Sequence, residues 1–388
     1  MLEKAIKGSK LYWGWVGLLL LGVLIGFCAY TVQMKEGLSI TGMNRDVSWG
    51  FYIAQFTFLV GVAASAVMMV IPKYLHHYQV FARTLILGEF LAVAAVSMCL
   101  LFIIVDLGQP QRMLNIIFHP TPHSILFWDM IVLNGYLFLN ILIGWVTLQA
   151  EHQGVNPPNW IKPFIYLSIP WAVSIHTVTA FLYCGLPGRH FWLTAILAPR
   201  FLASAFAAGP AFLILLCFLV KIFTKWDPGK EAIQSLAKIV AYNTIINLFF
   251  MSLEVFVALY SNIPGHILPL KYLFVGIEGH HAYVAWMWVS VLAGLAGFFL
   301  LLSPENRKSD NVLALACLLV FVGCWIDKAL GMIVGGFTIN PLEEITEYLP
   351  TKLELIISFG VYCAGFLILT ILYKVAVGVK QEIEQKPV

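Results

Sequence analysis

Glu89, Asp129, His176, Glu254, Asp327 and Lys328 each stand in a stretch of chain that is otherwise apolar. A charge inside hydrocarbon is costly, so each is a candidate for proton transfer, ligand binding or ion pairing. His176 carries the side chain that titrates nearest neutrality and can take a proton and hand it on. The carboxylates can accept protons or orient a neighbour. Asp327 and Lys328 are sequence neighbours and must find separate partners, and Glu254 is a candidate partner of Lys328. Asn243, Asn247 and Glu254 recur at spacings of four and seven. That puts them on one helical face, which suits either interhelical hydrogen bonding or a water-lined stripe. The seven cysteines form no CxxC or CxxCH motif. Covalent haem attachment and iron–sulfur ligation therefore lack their residues, and the cysteines read as small core residues.

The element that must position these groups is a membrane helix. The chain is 60% hydrophobic and 11% charged, against roughly 45–50% and about 25% for soluble domains. So few charges exclude a soluble enzyme, a disordered chain and a nucleic-acid binder. A bilayer core of ~30 Å needs about 20 apolar residues. Ten windows meet that length: 12–32, 47–72, 84–105, 124–148, 164–184, 201–220, 239–260, 282–302, 312–334 and 355–373. The expected fold is all-α and polytopic. The first window is too long for a signal-peptide core and reads as a retained helix.

Lysine and arginine set the orientation. With the N-terminus inside, most of them, from Lys4, Lys73 and Arg83 to Lys374 and Lys386, fall on the inner side. Lys35, Arg45, Arg112, Arg189, Arg200, Lys271 and Lys352 are then left outside. Both termini are expected in the cytoplasm, with the protein in the cytoplasmic membrane. His176 then lies roughly 12 Å, and Asp129 about 8 Å, below the outer surface at ~1.5 Å per residue. Glu254 and Asp327 also fall in the outer half, and Glu89 in the inner half. Three outer segments converge above Asp129 and His176: GMNRDVSWG, DLGQPQR and the turn HPTPHS that leads to Trp128 and Asp129. An apolar pocket with a few polar groups suits a lipid-soluble ligand.

GMNRDVSWG before the second span and DLGQPQR after the third, followed by a proline-rich turn into SILFWDM, resemble the NrfD/polysulfide reductase family of membrane subunits. Within that family the run ITGMNRDVSWGFYIAQFTFLVG is most similar to membrane subunits of electron-transfer complexes in sulfate respiration. The resemblance implies a single integral-membrane domain over 1–388, with two four-helix bundles (spans 2–5 and 6–9) flanked by spans 1 and 10. Residues 45–184 would form the quinone-site bundle and 200–334 the second. It implies a menaquinol oxidoreductase subunit, active only within a complex, with menaquinone as bound substrate and no metal or haem ligated by this chain. The implied partners are a ferredoxin-like iron–sulfur subunit on the outer face, a multihaem cytochrome c and a further membrane or cytoplasmic module. The resemblance leaves proton translocation open.

On that reading His176 accepts a quinol proton, and Asp129 orients the imidazole or accepts the second. Arg45, Trp49, Asp106, Gln109, Arg112 and Trp128 surround the quinone, while Glu89, Glu254 and Asp327 are candidates for a proton path. Two other classes compete. A b-type haem carrier would need paired membrane histidines. Besides His176 the histidines occupy loops or helix ends (His76, His77, His280 and His281 among them), so a haem would have to join His176 to His280 or His281. A secondary transporter would need helices broken near the midplane in both halves. The interruptions here, Pro170 and Gly209-Pro210, fall in neighbouring spans and read as local kinks.

Overall fold

The computed structural model describes residues 1–76 and 78–385. His77 and Lys386, read above as a loop histidine and an inner-side charge, lie outside the described residues. Ten helices among those described are long and apolar enough to cross a membrane. They are α1 Lys10–Glu36, α2 Phe51–Leu75, α3 Leu85–Asp106, α4 Ile125–Gln153, α5 Asn159–Cys184, α6 Leu197–Thr224, α7 Lys230–Ser261, α8 Val284–Leu302, α9 Asp310–Thr338 and α10 Lys352–Gln385. Helices are what such sequences must form, because hydrocarbon offers backbone N–H and C=O groups no partner outside their own segment. The expected all-α fold with ten spans holds. The expected windows are mostly shorter than the helices, because a window stops where the first charge appears and a helix does not.

Contacts sort the helices into two groups of four. α2 packs on α3, α3 on α4, and α4 on α5; α6 packs on α7 and α9, and α8 on α9. The groups meet where α2 touches α6 and α9 and where α5 touches α6. α2 is therefore enclosed from all sides: 94% of its apolar window is buried, against 17% for α7, which turns its large side chains outward to lipid. α10 lies against α1 and α3. α1 and α10 approach backbone to backbone, and a Cβ on Gly26 would stand 2.5 Å from Gly360 Cα.

Two features aim side chains at the interior. Ile326–Val334 of α9 is a π-helix, buried at every position, that carries Asp327 and Lys328. One extra residue per turn re-aims neighbouring side chains, and such segments recur at functional sites. At the C-terminal end of α9, the connection from α9 to α10 (339–351) straps the groups together. The Tyr348 hydroxyl donates to Glu354 Oε1 (2.5 Å) and accepts from Phe51 N (2.8 Å). Glu354 Oε2 takes the N–H groups of Gly42 and Thr351, each at 2.8 Å. Gly42 and Gly50, the ends of GMNRDVSWG, lie under this strap. A Cβ on Gly50 would meet the Tyr348 hydroxyl at 2.6 Å, and one on Gly42 would meet the Leu349 carbonyl.

Candidate functional site

α4 and α5 pack side by side and bring Asp129 of α4 against Thr179, nearly one turn beyond His176 on α5. Asp129 is buried, and its Oδ1 accepts from the Thr179 hydroxyl at 2.9 Å. Thr179 is three residues beyond His176, and therefore nearly one turn further along the same helix face. His176 is fully buried, its ring stacked on Phe206 of α6 at 6.4 Å between centroids. Neither ring nitrogen of His176 has a hydrogen-bond partner among the described residues. The expectation that Asp129 orients the imidazole is corrected here: Asp129 is held by Thr179. The reason is reach, because a hydroxyl nearly one turn closer to the C-terminal end of α5 meets the carboxylate first.

Above this pair is a cluster of rings. Tyr183, seven residues beyond His176, lies 5.8 Å from Trp49, 5.2 Å from Trp192 and 6.0 Å from Phe201. Phe337 closes the cluster at 6.0 Å from Trp49 and 4.8 Å from Trp192. The Tyr183 hydroxyl shares a hydrogen bond with Thr57 of α2. Arg189 clamps the cluster: Nη1 donates to the carbonyls of Phe337 (2.9 Å) and Ile339 (2.8 Å), Nη2 donates to the Asp46 carbonyl, and the guanidinium lies 5.0 Å over the Phe337 ring. The first group thus places a fully buried imidazole and carboxylate under an aromatic roof that both groups build.

Of the residues expected around a quinone, Trp49 is in this roof. Asp106 ends α3 with its Oδ1 buried and without a protein partner among the described residues. Arg45, Gln109, Arg112 and Trp128 are exposed. Between α3 and α4 Gln111 bonds Gln109, and Trp128 Nε1 of α4 donates to the Pro122 carbonyl at 2.8 Å. Sequence reasoning misses Thr57, Thr179, Tyr183 and Arg189. Thr179 and Tyr183 carry a visible signal, the spacing of three and seven from His176; Arg189 carries none, because its partners are backbone carbonyls.

The second group holds a different cluster. Arg200 of α6 pairs with Glu254 of α7 and, at 2.8 Å, with Asp327 of α9. The candidate pairing of Glu254 with Lys328 is corrected. Lys328 Nζ lies 3.5 Å from the Phe201 carbonyl and 4.3 Å over the Phe201 ring, because the π-helix turns it toward α6 at a different point from Asp327. Arg200, expected among the outer-loop charges, is 5% exposed and sits in the first turn of α6. The polar face of α7 is not continuous: Asn243 Nδ2 bonds the Ile239 carbonyl of its own helix at 2.9 Å. Glu89 is buried in α3 beside α4, where a Cβ on Gly144 would lie 3.4 Å from its Oε2. His280 and His281 lie in the connection before α8, His280 against Glu347 at 3.5 Å and His281 against the Gly279 carbonyl at 2.8 Å.

Residues 39–340 match the family described as "Polysulphide reductase, NrfD". The chain is 27% identical to a protein of Halobacterium salinarum whose name assigns it to the membrane part of a dimethyl sulfoxide reductase, over 92% of this chain and 89% of that protein. It is 22% identical to the Hdr-like menaquinol oxidoreductase integral membrane subunit of Archaeoglobus fulgidus, covering 95% and 94%. It is 21% identical to the menaquinone reductase integral membrane subunit of Nitratidesulfovibrio vulgaris, covering 90% and 87%. The helices, the motifs around α2 and α3, and a match over most of the chain agree: the protein belongs to the NrfD/polysulphide reductase family.

Proposed function

We propose that this chain is the quinone-reactive membrane subunit of a respiratory electron-transfer complex in the cytoplasmic membrane. It exchanges electrons between menaquinol or menaquinone and an iron–sulfur partner on the outer face. The observation that carries the reading is His176. A buried imidazole with no protein hydrogen bond at either nitrogen is costly to keep, and a ligand hydroxyl or carbonyl would relieve that cost. Two of the relatives bear menaquinol or menaquinone in their names, which supports the same substrate class.

Oxidising a quinol releases two electrons and two protons. His176 takes the proton of the hydroxyl that it faces. Asp129, tethered through Thr179, is the nearby carboxylate for the second. Trp49 and Tyr183 give the headgroup an aromatic wall and exclude water. An iron–sulfur cluster in the partner would accept the electrons, and the same site would reduce quinone where the partner's potential is lower. Glu89, Glu254 and Asp327 are the buried carboxylates through which protons would cross.

Replacing His176 with Ala in the assembled complex tests the assignment. Quinol-dependent electron transfer is expected to be lost while the subunits still co-purify. Wild-type quinol oxidation in that variant would reject the site.

A further inference from the structure

The ionic cluster of the second group has more hydrogen-bonding capacity than its protein partners use. Arg200 spends its two terminal nitrogens on Glu254 and Asp327, and its Nε has no protein partner among the described residues. Asp327 Oδ1 is taken by Arg200, and Oδ2 has no such partner. Both residues are more than nine-tenths buried. Both line a cavity of about 20 Å³, whose walls also include Glu254, Leu273, Met287 and Met332. A buried water needs roughly 10–15 Å³ of such space and two to four polar partners. Here the Arg200 Nε–H is a donor, Asp327 Oδ2 an acceptor, and the Glu254 carboxylate lies on the same wall. Without a bridging molecule a guanidinium N–H and a carboxylate oxygen would both stay unpaired in a dry interior, which costs more than fixing one water.

We propose that this cavity binds a water molecule bridging Arg200 Nε and Asp327 Oδ2, and that the hydrated Arg200–Glu254–Asp327 node holds a proton near the outer end of the second bundle. Three observations place it there. Arg200 is in the first turn of α6, and Glu254 is two turns from the outer end of α7 at Ser261. The short helix Pro264–Phe274, which follows α7, supplies Leu270, Leu273 and Phe274 as the cavity's outer cover.

Two carboxylates share one guanidinium, so the triad can accept a proton without leaving a cation unpaired. The water gives one of its protons to Asp327 Oδ2 and takes the incoming proton, which regenerates the water and leaves a neutral acid. Lys328 and Cys324 flank Asp327 on α9, and Lys328 is turned to Phe201. On the cover helix, Lys271 is exposed and His266 lies beside His190. The water site stands by itself, whereas the proton-holding role rests on the quinone reading above.

Two measurements on the intact complex test the proposal. A map that resolves ordered waters is expected to show density within hydrogen-bond distance of both Arg200 Nε and Asp327 Oδ2. A cavity without such density, or one filled by Met287, overturns the water site. In vesicles of phosphatidylethanolamine and phosphatidylglycerol, Asp327→Asn is expected to lower the ratio of protons released to menaquinol oxidised, and Asp327→Glu to restore it in part. A ratio that Asp327→Asn leaves unaltered overturns the proton role. Gly331→Ala guards against a folding artefact, because it changes no charge. Its Cβ would stand 2.6 Å from Met287 Sδ and press that side chain toward the cavity. Loss of both the water density and the proton ratio is expected there, and loss of the water with the ratio intact again overturns the role. If His176→Ala leaves quinol oxidation intact, the quinone reading fails, and the density still decides the water site separately.

Discussion

Replacing Arg200 with Met removes the cation that Glu254 and Asp327 share, and the size of the effect follows from their burial. The side chains of Arg200, Glu254 and Asp327 are 6%, 14% and 5% exposed. The range for solvent-screened pairs, about 0–1 kcal/mol, therefore does not apply. Removing one partner of a buried pair leaves an uncompensated charge and costs about 3–5 kcal/mol. Arg200→Met strands two carboxylates at once and falls at the upper end of that range. Glu254→Gln and Asp327→Asn each leave Arg200 one carboxylate, so each is expected to cost less, about 1–3 kcal/mol. The triple variant that neutralises all three positions should recover much of the loss, because the penalty comes from the stranded charges. The assay is thermal unfolding of the purified complex, followed by a thiol-reactive fluorophore. Cys99, Cys217, Cys317 and Cys324 are buried and react only as the bundle opens. The order Arg200→Met below either carboxamide variant, with rescue in the triple, is the expected result. An Arg200→Met complex as stable as Asp327→Asn would refute the shared-counterion account.

Two further predictions concern the strap and the α1–α10 contact. Partial burial acts to raise the Glu347 carboxyl, but the Ala282 N–H, the Tyr272 hydroxyl and His280 outweigh it and hold that carboxyl below the usual carboxylate range. A depressed folded value means that the stabilisation is present above the unfolded value, about 4.3, and is lost as pH falls through the folded one. Protease nicking of the 339–351 strap should rise in acid for the wild type. Glu347→Gln should show the raised nicking already at neutral pH, and an acid response equal to wild type would count against the linkage. Gly26→Leu forces a side chain into Gly360, so about 1–3 kcal/mol of overpacking is expected. The check is a lower unfolding temperature in the same fluorophore assay, and an unchanged one would mean that α1 slides freely on α10.

The ten spans are legible because bilayer thickness imposes a length on the sequence that chance does not reproduce. Asp129 and His176 are legible because charge is scarce. Arg200 is not, and the reason is physical. A hydropathy window ends at the first charge, so Arg200 itself sets the boundary at 201 and falls among the loops. The helix in fact begins at Leu197. A buried charge with two distant partners looks, in one dimension, identical to a charge at the water surface. Arg45, Gln109, Arg112 and Trp128 show a second limit. Their chemistry suits a binding site and topology brings their segments together, but a sequence does not show which side chains of such segments are exposed, as these four are.

The two buried polar clusters differ in a way that separates structure from chemistry. Around Arg200 every carboxylate has a cation, and the cluster ties α6, α7 and α9 together. Around His176 the carboxylate is held by Thr179, and the imidazole is packed, stacked on Phe206, with no hydrogen bond among the described residues. Removing the shared cation leaves two carboxylates without a counterion, and stability falls. Removing a group with no protein hydrogen bond strands nothing, so the cost is packing alone. The His176→Ala complex should therefore lie closer to wild type in unfolding temperature than Arg200→Met while losing quinol oxidation. An imidazole that contributes little to holding the fold, buried where polar groups are expensive, is kept for what it binds.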